Sequence, residues 1–136
     1  MNVGAEGLEN VFTPEMAGAL HALGDELRAR INALGEEGEG EGRRRLRVLG
    51  AGSILVFHFT RARVEDIRSP ADWMGDEDPR LLDLFHLEML HEGFYLARRG
   101  YAALSIAFLE EEGRKELDRF VEAVRKFLVT FGELIA

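Results

Sequence analysis

The sequence contains no cysteine. Disulfides, thiolate metal sites and a cysteine nucleophile are therefore excluded. Lysine is nearly absent, with Lys115 and Lys126 the only two. Basic charge is in deficit as a whole: 17 Lys+Arg stand against 25 Asp+Glu, a net charge of −8. That field repels phosphate and argues against a non-specific nucleic-acid partner. No stretch approaches the ~18 consecutive apolar residues of a membrane span. The first residues have neither a basic n-region nor an apolar h-region, so no signal peptide is expected. The expected location is the cytoplasm.

What is present suits one folded domain. The chain has 136 residues, 46% hydrophobic and 31% charged. That is enough apolar surface to offset the ordering entropy of a single core. Residues 1–12 are glycine-containing and short of apolar residues, and are read as a flexible lead-in. Thr13-Pro14-Glu15 then opens a helix by capping, fixed φ and dipole charge in turn. Met16, Leu20, Leu23, Leu27, Ile31 and Leu34 form its apolar stripe, and Gly35 closes it. Residues 36–42 are a Gly/Glu linker, kept flexible by glycine and extended by like charge. Arg43, Arg44 and Arg45 follow as a solvated run.

Residues 46–49 and 54–60 read as an antiparallel hairpin about the turn Gly50-Ala51-Gly52-Ser53. The second strand is apolar at nearly every position, as expected for burial on both faces. Residues 61–77 read as a long surface loop with one helical turn. Asp78-Pro79 opens a second helix, closed by Gly93. Residues 94–97 and 101–108 read as two further strands. A last helix follows, with Leu117, Phe120, Val121, Val124, Phe127, Leu128 and Phe131 as its stripe. The expected fold is α+β: a two-layer sandwich of about four mostly antiparallel strands covered by three helices.

Few residues suggest chemistry. His86 and His91 are five apart and do not share a helix face, and Glu88 with His91 is one pair where a carboxylate metal site needs two. His58 lies within an apolar strand and reads as a satisfied or partner-facing histidine. Ser53 lacks the elbow of a hydrolase, and Gly50-x-Gly52 lacks the third glycine of a dinucleotide loop. The two lysines fall on the exposed side of the last helix, where an amine makes a poor Schiff-base former.

Four stretches resemble the C-terminal small domain of class III pyridoxal-phosphate aminotransferases, most closely the glutamate-1-semialdehyde aminomutase-like branch. They are residues 23–32, Val48 to Ile54 with Phe57-His58-Phe59, Gly93 to Gly100 with Ala103-Leu104-Ser105, and Asp118 to Val121 with Val124 and Phe127. The likeness runs in order from about residue 13 to the end, which makes 13–136 one domain. It implies a cofactor domain N-terminal to this one as partner. That domain would supply the lysine, the pyridine partner and the phosphate loop. Pyridoxal phosphate would then bind outside these residues. No catalytic, cofactor-binding or metal residue is assigned within them. The resemblance makes Arg98, Arg99 and Tyr101 substrate-facing, the arginines as forks for a carboxylate. The aminomutases carry a glutamate after the Tyr-Leu-Ala strand, and residues 98–103 have no acidic group. That argues for another aminotransferase-type substrate. The alternative is a stand-alone interaction module on the same fold, acting through its acidic surface, the 61–77 loop or a homodimer.

Overall fold

The computed structural model describes residues 2–36 and 45–135. The Gly/Glu run at 37–42 and Arg43-Arg44 lie outside them. Two helical turns come first, α1 (Asn2–Glu6) and a π-turn at Gly7–Val11. Leu8, Val11 and Phe12 there remain exposed. Helix α2 (Pro14–Glu36) follows, and Thr13 Oγ1 accepts the Met16 amide at 3.3 Å as the capping reading requires. Its stripe is buried from Leu20 to Leu34, but Met16 is 40% exposed because it precedes the first buried turn.

The sheet has three strands in the order β1-β2-β3, all antiparallel. These are β1 (Leu46–Ala51), β2 (Ile54–Phe59) and β3 (Tyr101–Ala103). Helix α3 (Pro79–His91) separates β2 from β3, and α4 (Glu111–Thr130) and the short α5 (Gly132–Ile135) close the chain. Helices on one side of an antiparallel sheet make the expected two-layer α+β sandwich.

The expected fourth strand, 94–97, is not a strand. Its backbone groups are already claimed. The Phe94 amide donates to the Met89 carbonyl at 2.8 Å, and His86 Nδ1 contacts the Leu96 carbonyl oxygen at 2.9 Å. Only the Ala97 amide reaches β3, at Tyr101 O. The strand expected at 101–108 stops at Ala103. The Leu104 amide donates to Ser53 O, at the turn where β2 begins, so no strand remains to pair with beyond it. Residues 106–109 instead form a 3-10 turn that turns Phe108 and Leu109 onto the core.

The core lies between the sheet's inner face and the helices. Leu55, Phe57 and Phe59 of β2 are fully buried there with Leu46 and Val48 of β1. Phe85 of α3 is the hub: its ring centroid lies 5.3 Å from Phe57, 5.7 Å from Phe59 and 5.1 Å from Phe127. The outer face does not match the expectation of burial on both sides. Pairing puts Leu49, Val56 and Tyr101 on that face, with Ala51, Ile54 and Ala103 beside them. Ile54 is 43% and Tyr101 45% exposed. Only the His58 end is covered, by segment 61–77, which holds 3-10 turns at Val64–Asp66 and Pro70–Asp72.

Helix α2 crosses the free edge of β1. Asn32 exchanges both hydrogen bonds with Val48, accepting its amide at 2.7 Å and donating to its carbonyl at 2.9 Å. The side-chain amide thus replaces a neighbouring strand. Gly24 lets the helix meet the hairpin, because a Cβ there would collide with the Gly52 carbonyl.

Two stability predictions follow from these contacts. Phe85→Ala should cost about 3–5 kcal/mol in urea unfolding, the usual cost of an emptied aromatic site. Asn32→Ala should cost about 1–3 kcal/mol, since two strand-edge groups lose their partners. A loss under a few tenths for Asn32→Ala would show that water replaces the amide.

Candidate functional site

The turn at 97–101 carries the substrate-facing candidates. It is pinned to the sheet: the Gly100 amide donates to Ala97 O and the Phe57 amide to Gly100 O, both at 2.8 Å. Gly100 has φ +76°, and a Cβ there would meet the Phe57 carbonyl. A side chain at this position is barred twice. Arg98 and Arg99 therefore sit on a turn of fixed shape.

The two arginines differ. Arg98 is taken up by Asp83 of α3 in a two-point bond, Nε at 2.6 Å and the second nitrogen at 2.7 Å. The guanidinium holds the Asp83 carboxyl below its ordinary range, and the carboxylate raises Arg98. Arg99 is exposed, and among the described residues no ion pair or hydrogen bond engages its guanidinium. Tyr101 opens β3 on the uncovered outer face, opposite Val56. The structure thus brings the three together on one turn, one arginine occupied and one available.

The other candidates are placed as follows. His86 is held by the Leu96 carbonyl, and His91 is exposed at the end of α3. Among the described residues no three His, Asp or Glu side chains cluster as a metal site would require. Ser53 and the glycines at 50 and 52 serve the hairpin turn, with positive φ at both glycines. His58 is buried and its Nδ1 lies 2.8 Å from Glu77 Oε1, under the ring of Trp73. Sequence reading missed that cluster, although a lone tryptophan in a polar loop was a usable signal. An apolar groove of about 440 Å³ opens between β3 and α4, lined by Leu55, Phe57, Phe94, Phe108 and Phe120. Its lining is mostly apolar, with Glu116, Tyr95 and Tyr101 the residues that carry polar side chains.

Neither lysine suits a Schiff base with pyridoxal phosphate. Lys115 lies 2.9 Å from Glu111 and 2.8 Å from Glu112, and Lys126 is bonded to Glu92. The carboxylates raise both amines above the ordinary lysine value. An amine held protonated is a poor nucleophile.

Comparison with known proteins gives this turn a context. No family model matches the sequence. The β-phenylalanine transaminase of Variovorax paradoxus is 36% identical over 136 residues, 99% of this chain and 28% of that protein. Its crystal structure superposes over 97% of this chain with a TM-score of 0.82. The chain is related to the class III pyridoxal-phosphate aminotransferases. An uncharacterized aminotransferase of Schizosaccharomyces pombe is 36% identical over 112 residues, 82% of this chain and 24% of that protein. An omega-transaminase structure from Sphaerobacter thermophilus shares the fold at 21% identity and a TM-score of 0.62. The match is to the C-terminal portion of the aminotransferases, and the chain spans about a quarter of their length.

The Asp83–Arg98 pair gives a pH prediction. A depressed carboxylate contributes stability above its unfolded pKa and loses it as pH falls through the folded one. The Asp83 carboxyl signal in an NMR titration should therefore turn at lower pH than exposed aspartates. In Arg98→Gln it should return to the ordinary range. An unchanged midpoint in that variant would mean the pair is a packing accident.

Proposed function

We propose that this chain is the small domain of a pyridoxal-phosphate transaminase and works only with a cofactor-bearing domain N-terminal to it. One observation carries the reading. Part of the sheet's outer face is apolar and open, with Ile54 and Tyr101 exposed and Leu49 and Val56 half-buried between them, in a chain spanning 28% of its relative's length. A water-exposed sheet face of this kind is costly to leave open. In this reading the cofactor domain covers it, and the 97–101 turn shapes the entrance to the active site. The cofactor supplies the amine-carrying chemistry when bound there. The part of this chain is to hold the substrate carboxylate.

Arg99 is the residue proposed for that role, because its guanidinium is available while Asp83 occupies Arg98. Asp83 and Arg98 are positioning residues that hold the turn. Tyr101 flanks the entrance. The substrate is an amino acid of the kind a β-phenylalanine transaminase accepts. We place the chain with amino-acid transaminases rather than aminomutases, since residues 98–103 carry no acidic group. Cytoplasmic residence belongs to the same proposal and rests on composition.

The test is kinetic, on the longest native polypeptide that contains these residues, with β-phenylalanine as first probe. Arg99→Ala should raise KM about 10- to 100-fold, the loss of one charge-assisted bond, and change kcat less. Arg98→Ala should give a smaller effect on both. A native product near 15.3 kDa that shows no cofactor absorbance and binds a partner protein would instead favour the stand-alone interaction module.

A further inference from the structure

We propose that the groove beside β3 is a docking slot for an extended strand, supplied by the polypeptide that precedes these residues in the native protein. The proposal rests on the two-domain reading above and gives one of its contacts a form and a seat.

One side of the slot is an unpaired sheet edge. The Phe57 amide donates to Gly100 O and the Leu104 amide to Ser53 O, and the β2–β3 register runs between them. Residues 100, 102 and 104 therefore turn their backbone groups toward β2, and residues 101, 103 and 105 turn theirs to the free edge. Ser105 still has extended backbone, at φ −102° and ψ 164°. The Ala97 amide takes the Tyr101 carbonyl. Among the described residues, no group bonds the Ala103 amide, the Ala103 carbonyl or the Ser105 amide at that edge. The opposite edge is treated differently, since Asn32 closes it at Val48.

The other side of the slot is the segment 93–97. It meets β3 only at Ala97 and then leaves it, because Met89 and His86 hold Phe94 and Leu96. The groove of about 440 Å³ opens between the two, over Phe57, Leu117 and Phe120. An added strand would bond Ala103 and Ser105 through its backbone and send alternate side chains into the groove. Those side chains must be large and apolar. Glu116 is the one charged residue in the lining, and it is already bonded to Arg119.

The source of the strand follows by elimination. Residues 37–44 are glutamate, glycine and arginine, with no apolar side chain to offer. The apolar residues before Pro14 lie on helical turns. A second copy paired edge to edge would bring β3 itself, whose inward residue is Ala102, and a methyl group leaves such a groove empty. The remaining source lies outside these residues. The chain matches the C-terminal portion of its aminotransferase relative, 28% of that length, so the additional polypeptide stands on the N-terminal side.

Amide hydrogen exchange on the longest native polypeptide that contains these residues, resolved to single residues by mass spectrometry, reads the edge. The Ala103 and Ser105 amides should exchange at least about 100-fold more slowly than in an unstructured peptide. Two variants, Ala103→p-benzoylphenylalanine and Ser105→p-benzoylphenylalanine, identify the occupant by photo-cross-linking. Both should label one segment N-terminal to these 136 residues, at positions about two residues apart as strand pairing requires. Free exchange of both amides overturns the proposal. So do cross-links confined to these residues, cross-links to a second copy, or no cross-link at either position. A native product near 15.3 kDa overturns the two-domain reading and the slot with it. A longer product that binds pyridoxal phosphate but leaves both amides in free exchange overturns the slot alone.

Discussion

The structure depends on how α2 is set against the edge of β1. A three-stranded sheet has two open edges, and an open edge invites pairing with another chain. Asn32 closes one of them by making the bonds a strand would make with Val48. Gly24 brings the helix close enough for Arg28 to donate to Gly52 O at 2.7 Å. With the hairpin fixed in this way, β2 presents Leu55, Phe57 and Phe59 inward, and α3 and α4 close over them. The turn at 97–101 is hung from the same strand through Phe57. The geometry of the candidate site is thus set by contacts at both edges of β2.

The two faces of that strand divide the molecule's roles. The inner face is packed by α2, α3 and α4 around its aromatic cluster, with the groove between β3 and α4 left open beside it. The outer face is half finished. Trp73 and its segment cover one end, and nothing among the described residues covers the other. The arginine turn joins the uncovered end through Tyr101. The proposed substrate-facing turn therefore lies beside the open part of the sheet, which is the placement the two-domain proposal requires. The two lysines agree with that division, since each is committed to glutamates on the solvent side of α4 or across to Glu92.

Much of this was legible from residue order, because periodicity and capping are local. The stripes of α2 and α4, the Asp78-Pro79 start and the glycine hairpin each follow from a few adjacent residues. The failures were non-local. Nothing in Phe94-Tyr95-Leu96-Ala97 shows that Met89 and His86 will claim its backbone. Nothing in 101–108 shows that its partner strand begins only at Ile54. In the site, the arginine pair was visible, but the difference between Arg98 and Arg99 rests on Asp83, fifteen residues earlier on another element. The contact of His58 with Glu77 spans nineteen residues and was hidden for the same reason.

The central claim is that the uncovered outer face is buried in the native protein. Covalent footprinting with a photogenerated carbene, read by mass spectrometry, tests it directly. The isolated 136-residue chain and the native polypeptide would be labelled in parallel. The account predicts strong labelling of Ile54 and Tyr101 in the isolated chain and clear protection in the native polypeptide, with Val129 on α4 labelled alike in both. Equal labelling of these two residues in the two samples would contradict it.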